Sequence, residues 1–240
     1  MNESVIAILS LGFIYGLRHA LDADHLVAVS TIVSEHKSLW RSSLIGTFWG
    51  LGHTASLLGV GIVVLLLKIS IPKHIEPWME MPVALMLIAL GGLAVWQAFR
   101  NQAVSIHSHI HEHNSEGEHS HVHIHLQNQH NHQHHLIRIG RKPFLVGMVH
   151  GFAGSAALML IALTTVPTVA LGLAYIAIFG IGSVGGMLLM SAMIGLPFVA
   201  TAEKFASFNR AIRIVAGLFS IGFGLYLAWN LLHEIFTLSS

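Results

Sequence analysis

Long apolar runs separated by short polar segments make up most of the chain. Several stretches of about 20 residues lack charge, which is the length that a helix needs to cross roughly 30 Å of hydrocarbon. Prolines and charged residues interrupt the pattern between neighbouring runs. We predict six membrane-spanning helices, at about 5–33, 43–67, 83–99, 143–165, 173–200 and 212–236. The expected fold is therefore an all-α polytopic membrane protein.

Composition supports a membrane protein and narrows its chemistry. The chain of 240 residues is 54% hydrophobic and 10% charged, and its mean hydropathy is +0.69. It contains no cysteine, which excludes disulfides and thiolate metal ligands. The formal net charge of +1 gives no indication of nucleic-acid binding.

Lysine and arginine are distributed unevenly between the loops. The loops after the first, third and fifth predicted helices contain Lys37, Arg41, Arg100, Arg138, Arg141, Lys142, Lys204, Arg210 and Arg213. The loop after the second helix contains only Lys68 and Lys73. By the positive-inside rule, we expect the odd-numbered loops in the cytoplasm and both termini outside the plasma (inner) membrane.

The two halves of the chain share a pattern of glycines and histidines at a nearly constant offset. The aligned pairs include Gly16 with Gly147, His19 with His150, Gly50 with Gly180, and Gly91 with Gly224. Glycine patterns recur by chance in membrane proteins, but the repeated histidine favours a duplication. We therefore expect a 3+3 inverted repeat, with halves at 1–100 and 143–240 joined by a loop at 101–142.

The stretch 18–25, Arg-His-Ala-Leu-Asp-Ala-Asp-His, places charge inside the first apolar run. An ionisable group near the bilayer centre costs about 2.5–3.5 kcal/mol, so these residues should face protein, water or an ion. In a regular helix, His19, Asp22 and His25 present imidazole and carboxylate groups to one spot. Such groups are good ligands for a divalent first-row metal.

Asp24 and Arg18 have less direct roles in this stretch. Asp24 points away from the ligand face of a regular helix and needs a local break in the helix to join the other groups. Arg18 is expected to pair with Asp22 or Asp24 and to hold that carboxylate in place. The alternative is a buried ion-pair network that only locks helices together.

Two further histidines lie inside predicted spans, among small residues. His53 follows Gly50 and Gly52, and His150 precedes Gly151. Small residues let helices approach closely, and a histidine at such a crossing must find a partner. We predict that both are metal ligands or lie on the metal path; the alternative is an interhelical hydrogen bond.

The stretch 18–25 resembles the signature of the nickel/cobalt transporter (NiCoT/NicO) family, because His19 is followed after four residues by Asp24 and His25. The segments 50–54, Gly-Leu-Gly-His-Thr, and 150–155, His-Gly-Phe-Ala-Gly-Ser, resemble later helices of the short six-helix members with a His-rich loop. Those members include permease-like proteins associated with urease maturation. The resemblance implies a permease for a transition metal, with nickel or cobalt as the leading substrate.

The loop between the two halves contains twelve of the nineteen histidines. They are His107, His109, His111, His113, His119, His121, His123, His125, His130, His132, His134 and His135. A polar tract of this kind buries little and should be disordered without metal. We predict that it buffers metal through many weak, exchangeable sites; the alternative is a pH-sensitive spacer.

The sequence thus predicts a transporter of a divalent metal ion that works by alternating access, with the direction of transport undecided. It is not expected to be an enzyme or to hold a cofactor; Ni²⁺ or Co²⁺ is the transported ion. The expected partners are that ion, the lipid bilayer and, as a candidate, a cytoplasmic metallochaperone. The main alternative is a membrane-bound accessory protein that supplies nickel for enzyme maturation without transporting it, and a metal sensor is a weaker one.

Overall fold

The computed structural model describes residues 2–34, 38–69, 71–100, 106–111, 119–124, 135–154, 166, 168–201 and 206–239. Within these residues the chain forms seven helices and one hairpin of two strands. In chain order they are α1 (Asn2–His19), α2 (Ala23–Val33), α3 (Leu39–Leu67), α4 (Glu76–Arg100), β1 (Ile106–His111), β2 (His119–Ile124), α5 (His135–Ala153), α6 (Val169–Thr201) and α7 (Ala206–Ser239).

Four helices of the described chain are long and apolar enough to cross a membrane by themselves. They are α3, α4, Val169–Ala200 of α6 and Ser207–Leu238 of α7. The pair α1 and α2 makes a fifth span if the two helices are counted as one bent element. The span predicted at 143–165 coincides with α5 as far as Ala153, and residues 155–165 lie outside the described part. The described chain is thus mainly helical, with four to five helical elements that are long and apolar enough to span a membrane.

The first predicted helix is not continuous, which corrects the expected single span at 5–33. It bends by 53° between His19 and Ala23. Asp22 has extended backbone angles of φ −63° and ψ 146° at the start of α2, and its side chain makes no capping hydrogen bond. Instead, its carboxylate accepts a hydrogen bond from Nδ1 of His19. The charged motif itself therefore contains the break.

Glycines set the close crossing between α1 and α6. A Cβ atom added at Gly16 would collide with the carbonyl oxygen of Phe179. One turn earlier on both helices, a Cβ at Gly12 would press on the ring of Tyr175. Because later residues of α1 meet later residues of α6, these two helices run parallel. Only a residue without a side chain allows this approach of two backbones.

A second crossing joins α3 and α5 in the same way. A Cβ at Gly147 would meet the carbonyl oxygen of Trp49. One turn later on both helices, a Cβ at Gly151 would meet the carbonyl oxygen of His53. These two helices are therefore also parallel, and their crossing lies directly at a predicted ligand.

Two antiparallel pairs complete the bundle. In the α3–α6 pair, Gly50 packs on Val184 and Thr54 packs on Gly180. The pair α4–α7 runs antiparallel through contacts between small residues. Only residues 68–75 connect α3 to α4, so the end of α3 and the start of α4 lie at the same end of the bundle. The start of α6 lies there too, because α6 is antiparallel to α3, and so does the start of α1, because α1 is parallel to α6. The His-rich loop follows α4 at the other end.

Two segments of the His-rich loop are strands, where the sequence predicts disorder. β1 and β2 pair antiparallel, with His107 opposite His123, His109 opposite His121 and His111 opposite His119. Alternation of histidine with Ile, Ser and Val has the two-residue period of a strand. Residues 101–105, 112–118 and 125–134 of the predicted loop lie outside the described residues, and residues 135–142 are helical, so α5 begins earlier than the helix predicted from residue 143.

Candidate metal centre

Four histidines from four helices converge inside the bundle. His19 ends α1, His25 lies in the first turn of α2, His53 is in the middle of α3, and His150 is near the end of α5. The ring centroids of His19 and His25 lie 4.6 Å apart, those of His25 and His150 3.8 Å, and those of His19 and His53 5.0 Å. His53 and His150 were each expected to have a partner, either as metal ligands or in an interhelical hydrogen bond. In the structure each of them lies next to other imidazoles.

Asp24 connects two of these histidines. Its Oδ2 lies 2.8 Å from Nε2 of His150, and its Oδ1 lies 3.1 Å from Nδ1 of His25. The same Oδ1 accepts the backbone N–H of His25 at 2.9 Å. The break before α2 brings Asp24 to the cluster, which a regular helix would not allow.

Asp22 and Arg18 lie at the exposed edge of the cluster. Asp22 is 54% exposed and its Oδ2 lies 2.7 Å from Nδ1 of His19, which is 22% exposed. The carboxylates of Asp22 and Asp24 are thus hydrogen-bonded to histidines. Neither forms an ion pair with Arg18, so the pair expected for Arg18 is absent from the contacts of the described residues.

Several imidazole nitrogens are buried without a hydrogen-bond partner. They are Nε2 of His25, both ring nitrogens of His53, and Nδ1 of His150. His25 and His53 are fully buried and His150 is 2% exposed. A buried polar atom without a partner costs about 1–3 kcal/mol, so an apolar residue would be more stable at these positions unless the nitrogens bind something.

The ligand atoms form two overlapping triads. His19, His25 and His53 make one, and Asp24, His25 and His150 make the other; within each triad the candidate ligand atoms lie within 4.8 Å of one another. Imidazole and carboxylate together suit nickel, cobalt or zinc, and the chain contains no thiolate that would favour a softer ion. His25 belongs to both triads.

Two aromatic residues that were not predicted from the sequence flank the histidines. Trp49 is fully buried, and its ring stacks 6.1 Å from that of His25 and lies 5.8 Å from that of His150. Phe179 lies 5.4 Å from the ring of His19. Trp49 and Phe179 occupy equivalent positions next to the aligned Gly50 and Gly180, so the internal repeat was the signal that could have found them.

A cavity of about 820 Å³ reaches the centre from the end of the bundle where α1 begins. His19, Asp22, Asp24 and His150 line its inner part, together with Arg18. Further out it is lined by residues near the starts of α4 and α6, by α1 and by α7. The histidine cluster is therefore reached from the end opposite the His-rich loop.

The histidines of the loop are only partly within the described residues. Six of them lie in β1 and β2, and His135 is the first residue of α5. The remaining five, His113, His125, His130, His132 and His134, lie outside the described residues.

Comparison with known proteins gives the family. Residues 5–229 match the NicO family, described as "High-affinity nickel-transport protein". The chain is 38% identical over 227 residues to "Urease accessory protein UreH" of Bacillus sp. (strain TB-90), covering 95% of this chain and 92% of that protein. No solved structure matches the chain.

Two plant proteins are more distant relatives. The chain is 29% identical to "Chloroplast protein FOR GROWTH AND FERTILITY 1" of Arabidopsis thaliana over 220 residues, and 29% identical to "Chloroplast protein FOR GROWTH AND FERTILITY 2" over 218 residues. Each match covers 89% of this chain, but only 56% and 54% of the plant proteins. The family resemblance expected from residues 18–25 is confirmed: the chain belongs to the NicO family of nickel-transport proteins.

Proposed function

We propose that the protein transports a divalent transition-metal ion, Ni²⁺ or Co²⁺, across the membrane by alternating access. One observation carries the proposal: the buried imidazoles of His25, His53 and His150 have unpaired nitrogens beside the carboxylate of Asp24, and His150 and Asp24 line the inner end of a cavity. An ion that loses its water ligands at this site would gain imidazole and carboxylate ligands in their place. His19, Asp22 and Asp24 complete the proposed site.

Release from such a site needs competition for the same nitrogens. A metal binds the neutral imidazole and the ionised carboxylate, so a proton that reaches these groups displaces it. The chain has no nucleotide-binding motif. The energy for transport against a gradient therefore comes from an ion gradient or from a separate partner.

A 3+3 inverted repeat would give the protein two exchangeable conformations, and the parallel crossings support it. Gly16 packs on the carbonyl of Phe179, and Gly147 packs on that of Trp49. The repeat aligns Gly16 with Gly147, and it aligns Trp49 with Phe179. In the α1–α6 crossing the glycine comes from the first half and the carbonyl from the second, and in the α3–α5 crossing these roles are exchanged. Two similar halves related by a pseudo-twofold axis would give this pattern.

The contacts between α4 and α7 support the repeat independently. A Cβ at Gly91 would meet the carbonyl oxygen of Gly217, and one at Gly224 would meet that of Ala84. The repeat aligns Gly91 with Gly224, and the same offset aligns Ala84 with Gly217. Each contact is thus the counterpart of the other, which is the relation that a pseudo-twofold axis between α4 and α7 would produce.

The excess of lysine and arginine in the odd-numbered loops supports a cytoplasmic His-rich loop and external termini. With that orientation, the cavity opens to the outside and the loop lies where the ion is released or collected. The register of β1 and β2 places histidine opposite histidine at three positions. Three such pairs would hold metal weakly for a cytoplasmic metallochaperone.

The test is nickel flux into proteoliposomes of known protein orientation. Wild-type protein should transport nickel, and a variant with both His19→Ala and His25→Ala should not. His74→Ala is a matched control, since His74 is exposed in the connection between α3 and α4. Equal flux through the double variant and the wild type would exclude the histidine cluster as the transport site.

The second candidate is a membrane-bound accessory protein that binds nickel for enzyme maturation without transporting it. The name of the relative from Bacillus, a urease accessory protein, favours this alternative. The same liposome experiment separates the two functions. Nickel bound stoichiometrically by the wild type, without flux in either direction, would replace transport with the accessory role.

A further inference from the structure

Glu80 is a carboxylate in the cavity that was not predicted from the sequence. It lies near the start of α4, is exposed, and lines the same cavity as Asp24 and His150. No hydrogen bond or ion pair to Glu80 is found among the described residues. A carboxylate in a helix that spans a membrane is costly unless it faces water or a ligand.

Glu80 differs in this respect from the two other carboxylates of the cavity. Asp22 accepts a hydrogen bond from His19, and Asp24 accepts hydrogen bonds from His25 and His150. Both are already engaged at the histidine cluster. Glu80 is therefore the carboxylate of the cavity that has no such partner among the described residues.

The inner wall of the cavity provides an independent observation that points to a cation. His150 is 2% exposed, lines the cavity, and has an Nδ1 atom without a hydrogen-bond partner. An unpaired carboxylate thus lies in the outer part of the cavity, and an imidazole whose buried Nδ1 has no hydrogen-bond partner forms part of its inner wall. An ion passing along it meets an oxygen ligand before it meets nitrogen ligands.

The charges around the cavity favour a cation. Glu80 interacts electrostatically with Asp24, and also with Glu76 and Glu234 at the same end of the bundle. Among the described lining residues, Arg18 is the one positively charged side chain other than the histidines. The walls of the cavity are largely apolar side chains, which limit screening by water and strengthen the field inside a cleft.

We propose that Glu80 forms a recruitment site, at which a hydrated divalent metal ion binds before it reaches the histidine cluster. The proposal rests on the transport function proposed above. A carboxylate attracts the ion while the ion keeps most of its water, whereas the imidazoles replace that water. Glu80 thereby determines how fast the ion arrives, and the histidines determine how tightly it is held.

The experiment measures the association and dissociation rates of nickel on the purified full-length protein. Trp49 lies beside two of the histidines, so Ni²⁺ bound at the cluster should quench its fluorescence; a Trp49→Phe protein identifies that signal. Nickel is mixed in excess over the loop histidines. Glu80→Gln should lower the association rate about threefold to tenfold at low salt, leave the dissociation rate unchanged, and reduce the dependence of the association rate on ionic strength.

Glu76→Gln is the matched control, because Glu76 lies one turn earlier on α4 and does not line the cavity. The proposal is overturned if Glu80→Gln associates at the wild-type rate, or if Glu76→Gln slows association to the same extent. A faster dissociation in Glu80→Gln would also overturn it, since Glu80 would then be a ligand of the cluster. The measurement needs no flux, so it remains decisive for recruitment even if the protein proves to be an accessory protein. Loss of the Trp49 quenching in His25→Ala tests the cluster separately.

Discussion

Oδ2 of Asp24 and Nε2 of His150 lie 2.8 Å apart, although 126 residues separate them in the chain. The contact joins the start of α2 to the end of α5, and therefore joins the two halves of the proposed repeat directly at the candidate metal centre. Under the proposed function, a charged group that connects the halves and also offers metal ligands would couple their relative position to the bound ion.

Asp24→Asn tests the charge of this contact while keeping its size. The amide can still accept one hydrogen bond, but it neither neutralises a cation nor acts as an anionic ligand. We expect nickel affinity to fall roughly 10–100-fold, the range found when groups that hold metal-binding histidines are altered. Isothermal titration of the purified protein measures it. Asp22→Asn, at the exposed edge, should have a smaller effect; equal losses would contradict a special role for Asp24.

His53→Leu should change stability in opposite directions with and without metal. Both ring nitrogens of His53 are buried and unpaired. An apolar side chain of similar size should therefore stabilise the metal-free protein, by about 1 kcal/mol. Nickel at about 100 times its dissociation constant should stabilise the wild type by about 2.7 kcal/mol and the variant by much less. Thermal unfolding in detergent measures both. A metal-free variant that is strongly destabilised would indicate a structural hydrogen bond at His53.

Gly16→Ala and Gly147→Ala should each destabilise the fold to a similar extent. A Cβ at either position meets a backbone carbonyl of the neighbouring helix, which cannot move without separating the helices. Overpacking of this kind costs about 1–3 kcal/mol. Gly185→Ala is the control, because a Cβ there has nothing within 4 Å. Unfolding temperatures that do not distinguish Gly185→Ala from the other two would contradict the crossings.

The register of the histidine hairpin can be tested with engineered cysteines, because the chain contains none. Ser108 and Val122 are opposite in the register, so Ser108→Cys with Val122→Cys should form a disulfide on mild oxidation. Ser108→Cys with Ser120→Cys places the cysteines diagonally, about 7–8 Å apart, and should form it slowly. Counting free thiols by mass spectrometry distinguishes the pairs. Equal rates for both pairs would indicate no fixed register.

Most of the candidate site could be predicted because charge in an apolar run is costly. That cost identified Asp24 and the histidines at 19, 25, 53 and 150 without knowledge of the fold. The break after His19 was harder to predict, since Ala20 and Leu21 are good helix formers and only the pairing of Asp22 with His19 shows why the helix ends there.

Trp49 and Glu80 were missed for a different reason. An aromatic residue in an apolar run and a glutamate near a helix start are both common, and neither pattern indicates a site. Only the packing of helices brings Trp49 to His25 and makes Glu80 line the cavity. The six-helix count also depends on residues 155–165, which lie outside the described part.

The membership of His25 in both ligand triads has a kinetic consequence. An ion that moves from His19, His25 and His53 to Asp24, His25 and His150 would stay beside the His25 ring throughout. The ion would then exchange its ligands one at a time and never be fully released inside the protein. Stepwise substitution avoids the large barrier of a bare divalent cation in a medium of low dielectric constant, so fast passage and tight binding become compatible in one small volume.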